Sequence, residues 1–161
     1  KETRLETWKA LEELYTEGKC RSIGVSNFTI RHLEELRDVS SYVPVLNQVE
    51  FSPFLYQKEL LDYCRSQGIR LQAYAPLTRG SRLDNEIVAS IARSYDRTPA
   101  QIMLRWALQH GVSVIPKSAH YERLEENTNV FSFDLTTRDM LMLDACNESY
   151  RTIPWNPETW D

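Results

Sequence analysis

Apolar positions along the chain follow two alternating rhythms. From 3 to 17, Leu5, Trp8, Leu11 and Leu14, with Tyr15, recur at helical spacing among Glu and Lys, and Gly18 supplies the stop. Arg21 to Val25 reads as a short strand, with Ile23 and Val25 alternating with small residues. Thr29 to Asp38 is a second predicted helix, carrying Ile30, Leu33 and Leu36 on one face. Pro44 breaks the chain before a strand over Val45 to Phe51. Gln57 to Gln67 is a helix stopped by Gly68, and Ile69 to Ala75 is a strand stopped by Pro76. Thr78 to Asp84, with Gly80, reads as a loop. Helices are predicted near 84–95 and 98–110, the second opened by Thr98-Pro99 and closed by Gly111. Val112 to Ile115 is a fourth strand, ended by Pro116. Helices near 120–128 and 136–146 follow, then an irregular tail over Arg151 to Asp161.

Helix, glycine, strand and polar loop thus recur, with Gly18, Gly68 and Gly111 at the junctions. Alternating helices and short apolar strands predict parallel βα units. Strands of this kind, almost continuously apolar or small, need helices covering the sheet. No G-x-G-x-x-G follows a strand, which argues against a dinucleotide-binding Rossmann fold. The remaining common architecture is a (β/α)8 TIM barrel, of eight strands and about 250 residues. The 161 residues offer about half of one: an α/β fold with about four parallel strands, flanking helices and an irregular C-terminal tail.

Composition narrows the function classes. The chain is 42% hydrophobic and 26% charged, ordinary for a globular domain, and its net charge of −4 excludes a broadly basic nucleic-acid binder. No stretch approaches the roughly 20 apolar residues of a membrane span. Cys20, Cys64 and Cys146 form neither a disulfide framework nor a CxxC pair, which fits small buried hydrophobes in a reducing cytoplasm. A chain opening on Lys1 within a helical pattern, with no signal peptide, is expected to begin inside a longer protein.

In βα barrels the chemistry sits at the C-terminal ends of the strands. Here those ends carry Ser26-Asn27-Phe28, then Asn47-Gln48 with Glu50 and Ser52-Pro53, then Tyr74-Ala75-Pro76-Leu77, and last Pro116-Lys117-Ser118. Amides and hydroxyls can hydrogen-bond a carboxamide, and a tyrosine face can stack on a flat heteroaromatic ring. Lys117, Ser118 and Arg123 place two cations and a hydroxyl close to a helix start, which suits a phosphate. Together these groups describe a site for a nicotinamide dinucleotide with an extra phosphate.

The strings GVSNF (24–28), LNQVEFSP (46–53), AYAPL (73–77) and IPKSAHYERLEENTNVFSFDL (115–135), and the opening TWKALEELYTEGKCRSIGVSNF, resemble the aldo-keto reductase family in order and spacing. That family is a (β/α)8 barrel that uses NADPH to reduce aldehydes and ketones to alcohols. By position, the resemblance implies that Ser26, Asn27 and Gln48 hold the nicotinamide carboxamide, Tyr74 stacks on the nicotinamide and Leu77 lines the pyrophosphate. It implies that Lys117, Ser118 and Arg123 grip the 2′-phosphate and adenosine end, with Glu126 and Asn127 on the adenine. The family's tail folds over the barrel mouth, which makes Trp155 a substrate-contact candidate. Two positions depart: Ala75 stands where many relatives have Ser, and His120 where many have Thr. The family's catalytic Asp, Tyr, Lys and His match nothing here, because they precede the helix with which the chain opens. The resemblance is to the C-terminal half of the barrel.

Each signal also has a plain structural reading. Ser26-Asn27 can be a helix-capping turn, Tyr74 a rim aromatic, and Lys117 and Arg123 surface charges. The three glutamates of 122–126 can be a solvated face, Asn127 can pack its helix, and the tail can pack outside the barrel. Trp8 and Trp106 sit at core spacing, and His32, His110 and His120 are not grouped with metal-ligating partners. The leading expectation is an NADPH-dependent carbonyl reductase of which this chain is the cofactor-holding half, inactive alone, with the missing N-terminal half as its partner. The alternatives are a non-catalytic nucleotide-binding regulatory or structural protein, or an unstable truncated product with exposed sheet edges.

Overall fold

The computed structural model describes residues 2–154 and 156–160. Its elements run α1 (Glu2–Thr16), β1 (Val25–Ser26), α2 (Ile30–Arg37), β2 (Leu46–Glu50), α3 (Lys58–Ser66), β3 (Arg70–Tyr74), α4 (Glu86–Ser94), α5 (Pro99–Gln109), β4 (Ser113–Val114), α6 (Tyr121–Thr128) and α7 (Thr137–Asp144). The strands form one sheet in the order β1-β2-β3-β4. Val25 pairs with Asn47 and Ser26 with Gln48, in parallel; Gln72 and Ala73 pair with Ser113 and Val114 in the same sense. Every predicted helix and strand is present.

The strands are shorter than the apolar runs predict, for local reasons. The β1–β2 ladder starts at Val25, and before it only Val45 N donates to Ile23 O (3.0 Å). Pro44 has no N–H with which to extend the pairing. Gly24 lies so close to β2 that a Cβ there would stand 2.8 Å from the Leu46 carbonyl oxygen. β3 ends at Tyr74 because Ala75 turns to φ +47, ahead of Pro76. The stop glycines Gly18 and Gly68 have φ of +73 and +72, the left-handed conformation that a helix C-terminus favours.

The chain divides into two compact units. The first holds residues up to Val49, Lys58–Leu71 and the end of the tail. One cluster of its core is Trp8, Ile23 and Leu36, with Leu5, Leu11 and Phe28 packed around them. Glu12 ties α1 to the loop before β2 by accepting from Trp8 Nε1 (3.0 Å), Ser40 Oγ (2.5 Å) and Ser41 N (3.0 Å). An apolar groove of about 280 Å³ lies along β1, floored by Trp8, Leu11, Val25 and Phe28. The tail is not wholly irregular: Pro157–Thr159 forms one 3-10 turn, and the Trp160 carbonyl accepts from Arg31 and from His32 Nε2 (3.2 Å).

The second unit holds Glu50–Gln57 and Gln72–Pro154. Its axis is α5: Ile102, Met103, Leu104 and Trp106 are buried, and the polar stripe Gln101, Arg105 and Gln109 is covered by the segment after it, donating to the carbonyls of Glu126, Val130 and Leu135. Thr98 and Gln101 cap its start reciprocally. Trp106 stacks on Phe51 at 5.0 Å and donates Nε1–H to Asp144 at 2.7 Å, and His110 Nε2 lies 2.8 Å from the same carboxylate oxygen. Trp8 and Trp106 are core, as their spacing predicts.

Candidate functional site

In the first unit the chain leaves β1 through a sharp turn at Asn27, whose φ is +58. Asparagine tolerates this left-handed conformation better than most residues. Asn27 N donates to the Gln48 carbonyl (2.9 Å), as does Ser26 Oγ (3.0 Å), and Asn27 Nδ2 donates to Ser26 Oγ (3.2 Å). Ser26 is exposed, Gln48 half-buried and Asn27 buried. Ser26 and Gln48 are direct ladder partners, so a hydroxyl and an amide stand side by side at the C-terminal ends of two adjacent parallel strands.

The turn rests on buried residues of β2, α3 and α2. Asn47 is fully buried in β2, and its side-chain amide engages Phe28 through both polar atoms: Nδ2 donates to Phe28 O (2.8 Å) and Oδ1 accepts from Phe28 N (3.3 Å). Below it, burial pushes the Cys64 thiol up to about 11, against a hydrogen bond from Asn47 that lowers it, so the thiol is neutral. Phe28 meets His32 edge-on at 5.8 Å. His32 Nδ1 accepts from Thr29 N (3.3 Å) and closes the capping box of α2, which leaves its neutral-state proton on Nε2, facing the Trp160 carbonyl.

In the second unit Tyr74 ends β3, half-buried, and Leu77 precedes a tight turn in which Thr78, Arg79 and Gly80 all have positive φ. Ser118 Oγ donates to His120 O (3.2 Å) and accepts from His120 N (3.1 Å), shaping the approach to α6. His120 is the N-cap of α6 and makes no side-chain capping bond. Lys117, before the helix, and Arg123, in its first turn, are exposed. Glu126 faces α5: its carboxylate accepts from Thr98 Oγ1 (2.5 Å) and its carbonyl from Gln101 Nε2 (3.1 Å). Asn127 is buried. Trp155, the substrate-contact candidate, lies outside the described residues.

Sequence reasoning missed three anchors: Asn47 on Phe28, Thr98 on Glu126, and Glu50, which accepts from Thr152 N (2.7 Å). A polar residue at a core-facing strand position was the available signal at 47 and 50. Among the described residues no group of three or more His, Cys, Asp or Glu could hold a metal ion, and no helix is long and apolar enough to cross a membrane.

The family description Aldo/keto reductase family matches residues 1–148. The chain belongs to the aldo/keto reductase family. It is 52% identical over 153 residues to a glyoxal reductase of Bacillus subtilis, covering 95% of this chain and 55% of that protein. It is 43% identical over 150 residues to a 9,11-endoperoxide prostaglandin H2 reductase of Trypanosoma cruzi, covering 91% and 53%. An aldo-keto reductase from a Medee basin deep-sea metagenome library superposes with a TM-score of 0.94 at 39% identity, over 99% of this chain and 60% of that one. A mutant of Gox0644 in complex with NADPH superposes at 0.91 and 42% identity, over 98% and 58%. This aldo/keto reductase chain therefore spans about half the length of the curated relatives it matches, and its four parallel strands with flanking helices correspond to part of a barrel.

Proposed function

We propose that the chain is the cofactor-holding C-terminal half of an NADPH-dependent aldehyde or ketone reductase. The observation that carries this reading is the Ser26–Asn27–Gln48 cluster at the C-terminal ends of paired parallel strands. Such ends are where βα folds bind ligands. The donor set fits the group: amides offer both a donor and an acceptor, as a carboxamide requires, and a hydroxyl can serve as either. The NADPH-bound relative that the chain matches over 98% of its length supports the same reading.

In this reading Ser26, Asn27 and Gln48 orient the nicotinamide by its carboxamide, and Tyr74 stacks on the ring and selects the face that reacts. Leu77 borders the pyrophosphate. Lys117, Ser118 and Arg123 bind the 2′-phosphate, helped by the first turn of α6, whose N-cap offers no competing side chain. Asn127 and Glu126 border the adenine, with Glu126 held through Thr98. Bound NADPH supplies a hydride to the carbonyl carbon. The groups that protonate the carbonyl oxygen belong to the part of the barrel that this chain does not span. The reading extends to a reducing, cytoplasmic setting and a small carbonyl substrate.

Titration of the chain with NADPH, followed by nicotinamide fluorescence, tests this. Saturable binding, tighter than that of NADH, is expected. No binding of either nucleotide overturns the reading.

A further inference from the structure

Asn47 occupies a place where strand alternation calls for an apolar side chain: it is fully buried, with Val49 buried on the same face. A buried amide is costly unless both its ends are paired. Here both ends reach Phe28, Nδ2 to its O at 2.8 Å and Oδ1 from its N at 3.3 Å, and the amide also bonds the Cys64 thiol beneath. The Asn47 side chain thus acts as a rung of sheet beyond the last ladder pair, Ser26 with Gln48, just where β1 has turned away. Asn27 lies between two restraints, its own N–H on Gln48 O at 2.9 Å and the following residue held at both backbone groups by Asn47. With φ at +58, Asn27 sits in the left-handed region, which asparagine enters more readily than most residues and which the two flanking restraints hold in place.

We infer that Asn47 is a positioning residue for the cofactor's carboxamide. By spanning the N–H and C=O of Phe28, it fixes the left-handed backbone of Asn27 and thereby the direction in which Ser26 and Asn27 present their side chains. Asn47 is too buried to touch a ligand and acts only through the turn. The inference rests on the carboxamide role proposed above for Ser26, Asn27 and Gln48.

Two variants separate positioning from packing. N47L keeps the number and branching of side-chain heavy atoms, in a bulkier form, and removes both hydrogen bonds to Phe28 together with the one to Cys64. N47D keeps the shape, and its carboxyl can replace the amide only while protonated, when it again offers one donor and one acceptor. The readouts are the affinities for NADPH and for 2′-phospho-ADP-ribose, which lacks the nicotinamide, and the hydrogen-exchange protection of the Asn27 amide. The Asn27 amide bonds to Gln48 and is touched by neither substitution. N47L is expected to weaken NADPH about tenfold, on the scale of one lost net hydrogen bond, and to leave 2′-phospho-ADP-ribose within about twofold. Asn27 protection falls in parallel. N47D is expected to match the parent at low pH and to diverge from it as the new carboxyl ionises, in a ratio of affinities and of Asn27 protection taken at each pH. Unchanged Asn27 protection in N47L, or equal losses for both nucleotides, overturns the inference. If N47L does not fold, the N47D ratio decides, and a flat ratio that stays at one up to alkaline pH overturns it. If the parent chain binds no NADPH, the functional reading fails, and Asn27 protection still decides whether Asn47 holds the turn.

Discussion

The carboxylate of Glu50 accepts both the backbone N–H (2.7 Å) and the hydroxyl (2.5 Å) of Thr152. Glu50 is buried at the end of β2, so this bond anchors the chain after α7 to the second unit's own strand-end loop. Asn147 Oδ1, accepting from Tyr56 N, and Phe54 O, accepting from Glu148 N and Tyr150 N, hold the same stretch. E50A leaves two donors without their acceptor and is expected to cost about 2–3 kcal/mol, against about 1 kcal/mol for T152A. The double variant should cost less than the sum, because the two changes remove one shared interaction. Urea denaturation of the four proteins checks this.

Selectivity for the phosphorylated cofactor is predicted to reside in Arg123 and Lys117, both exposed beside the start of α6. R123A should raise the Kd for NADPH tenfold or more, on the scale of about 1.5–3 kcal/mol for a charge-assisted bond, and change that for NADH by less than about twofold. Fluorescence titration with both nucleotides gives the comparison, and equal losses would remove the 2′-phosphate assignment.

Asp144 joins Trp106 and His110 at one carboxylate oxygen, and Trp106 is wholly buried. D144A strands the indole N–H and should destabilise by about 1–3 kcal/mol. W106A removes the ring that stacks on Phe51 and should cost about 3–5 kcal/mol. H110A, at a partly exposed helix end, should cost less than either. Thermal melts rank the three.

His32 makes the start of α2 sensitive to acid. Burial lowers its pKa from the ordinary 6.5, and Arg4 and Arg31 act in the same direction, against the Trp160 carbonyl and Glu35. A second proton would go to Nδ1, which then faces the Thr29 N–H as donor to donor. The unfolded chain binds that proton more readily, so stability is full above about 6.5 and falls as pH drops from there towards the lowered folded value. Gln101 performs the same capping in α5 without titrating. H32Q is therefore expected to keep the helix start and flatten this part of the stability–pH curve, measured by denaturation between pH 5 and pH 8.

Helix and strand order was legible in the sequence because helical spacing alternated with short, nearly continuous apolar runs and glycines stood at the junctions. Leu5, Trp8 and Leu11 needed nothing beyond their spacing. Strand lengths were not legible, since the β1–β2 ladder starts only at Val25, after a single Val45 N to Ile23 O bond, and β3 is ended by the φ of Ala75. The Ser26–Asn27–Gln48 grouping was legible as motif chemistry. The supports beneath it were not: that Asn47 reaches Phe28 and that Glu126 turns to Thr98 depends on pairings 19 and 28 residues apart. Periodicity carries no information about such pairings.

The outer strands predict the chain's behaviour in solution. β1 is at one end of the sheet order and β4 at the other, and an apolar groove floored by Trp8 and Phe28 runs along β1. Open strand edges beside apolar surface pair with other chains. The isolated chain is expected to self-associate with rising concentration, which sedimentation velocity would register. A monomer with a sharp two-state melt at all concentrations would refute this.

Gly24 sets how close β1 and β2 can lie, since even one methyl group there would meet the Leu46 backbone. The position therefore has a choice of one. In a library randomised over 21–26 and selected for folded chain, position 24 should return glycine alone, while the exposed Arg21 and Ser22 accept many residues. An unremarkable glycine, with no side chain to offer any ligand, would then be the least replaceable letter in the segment that leads to the site.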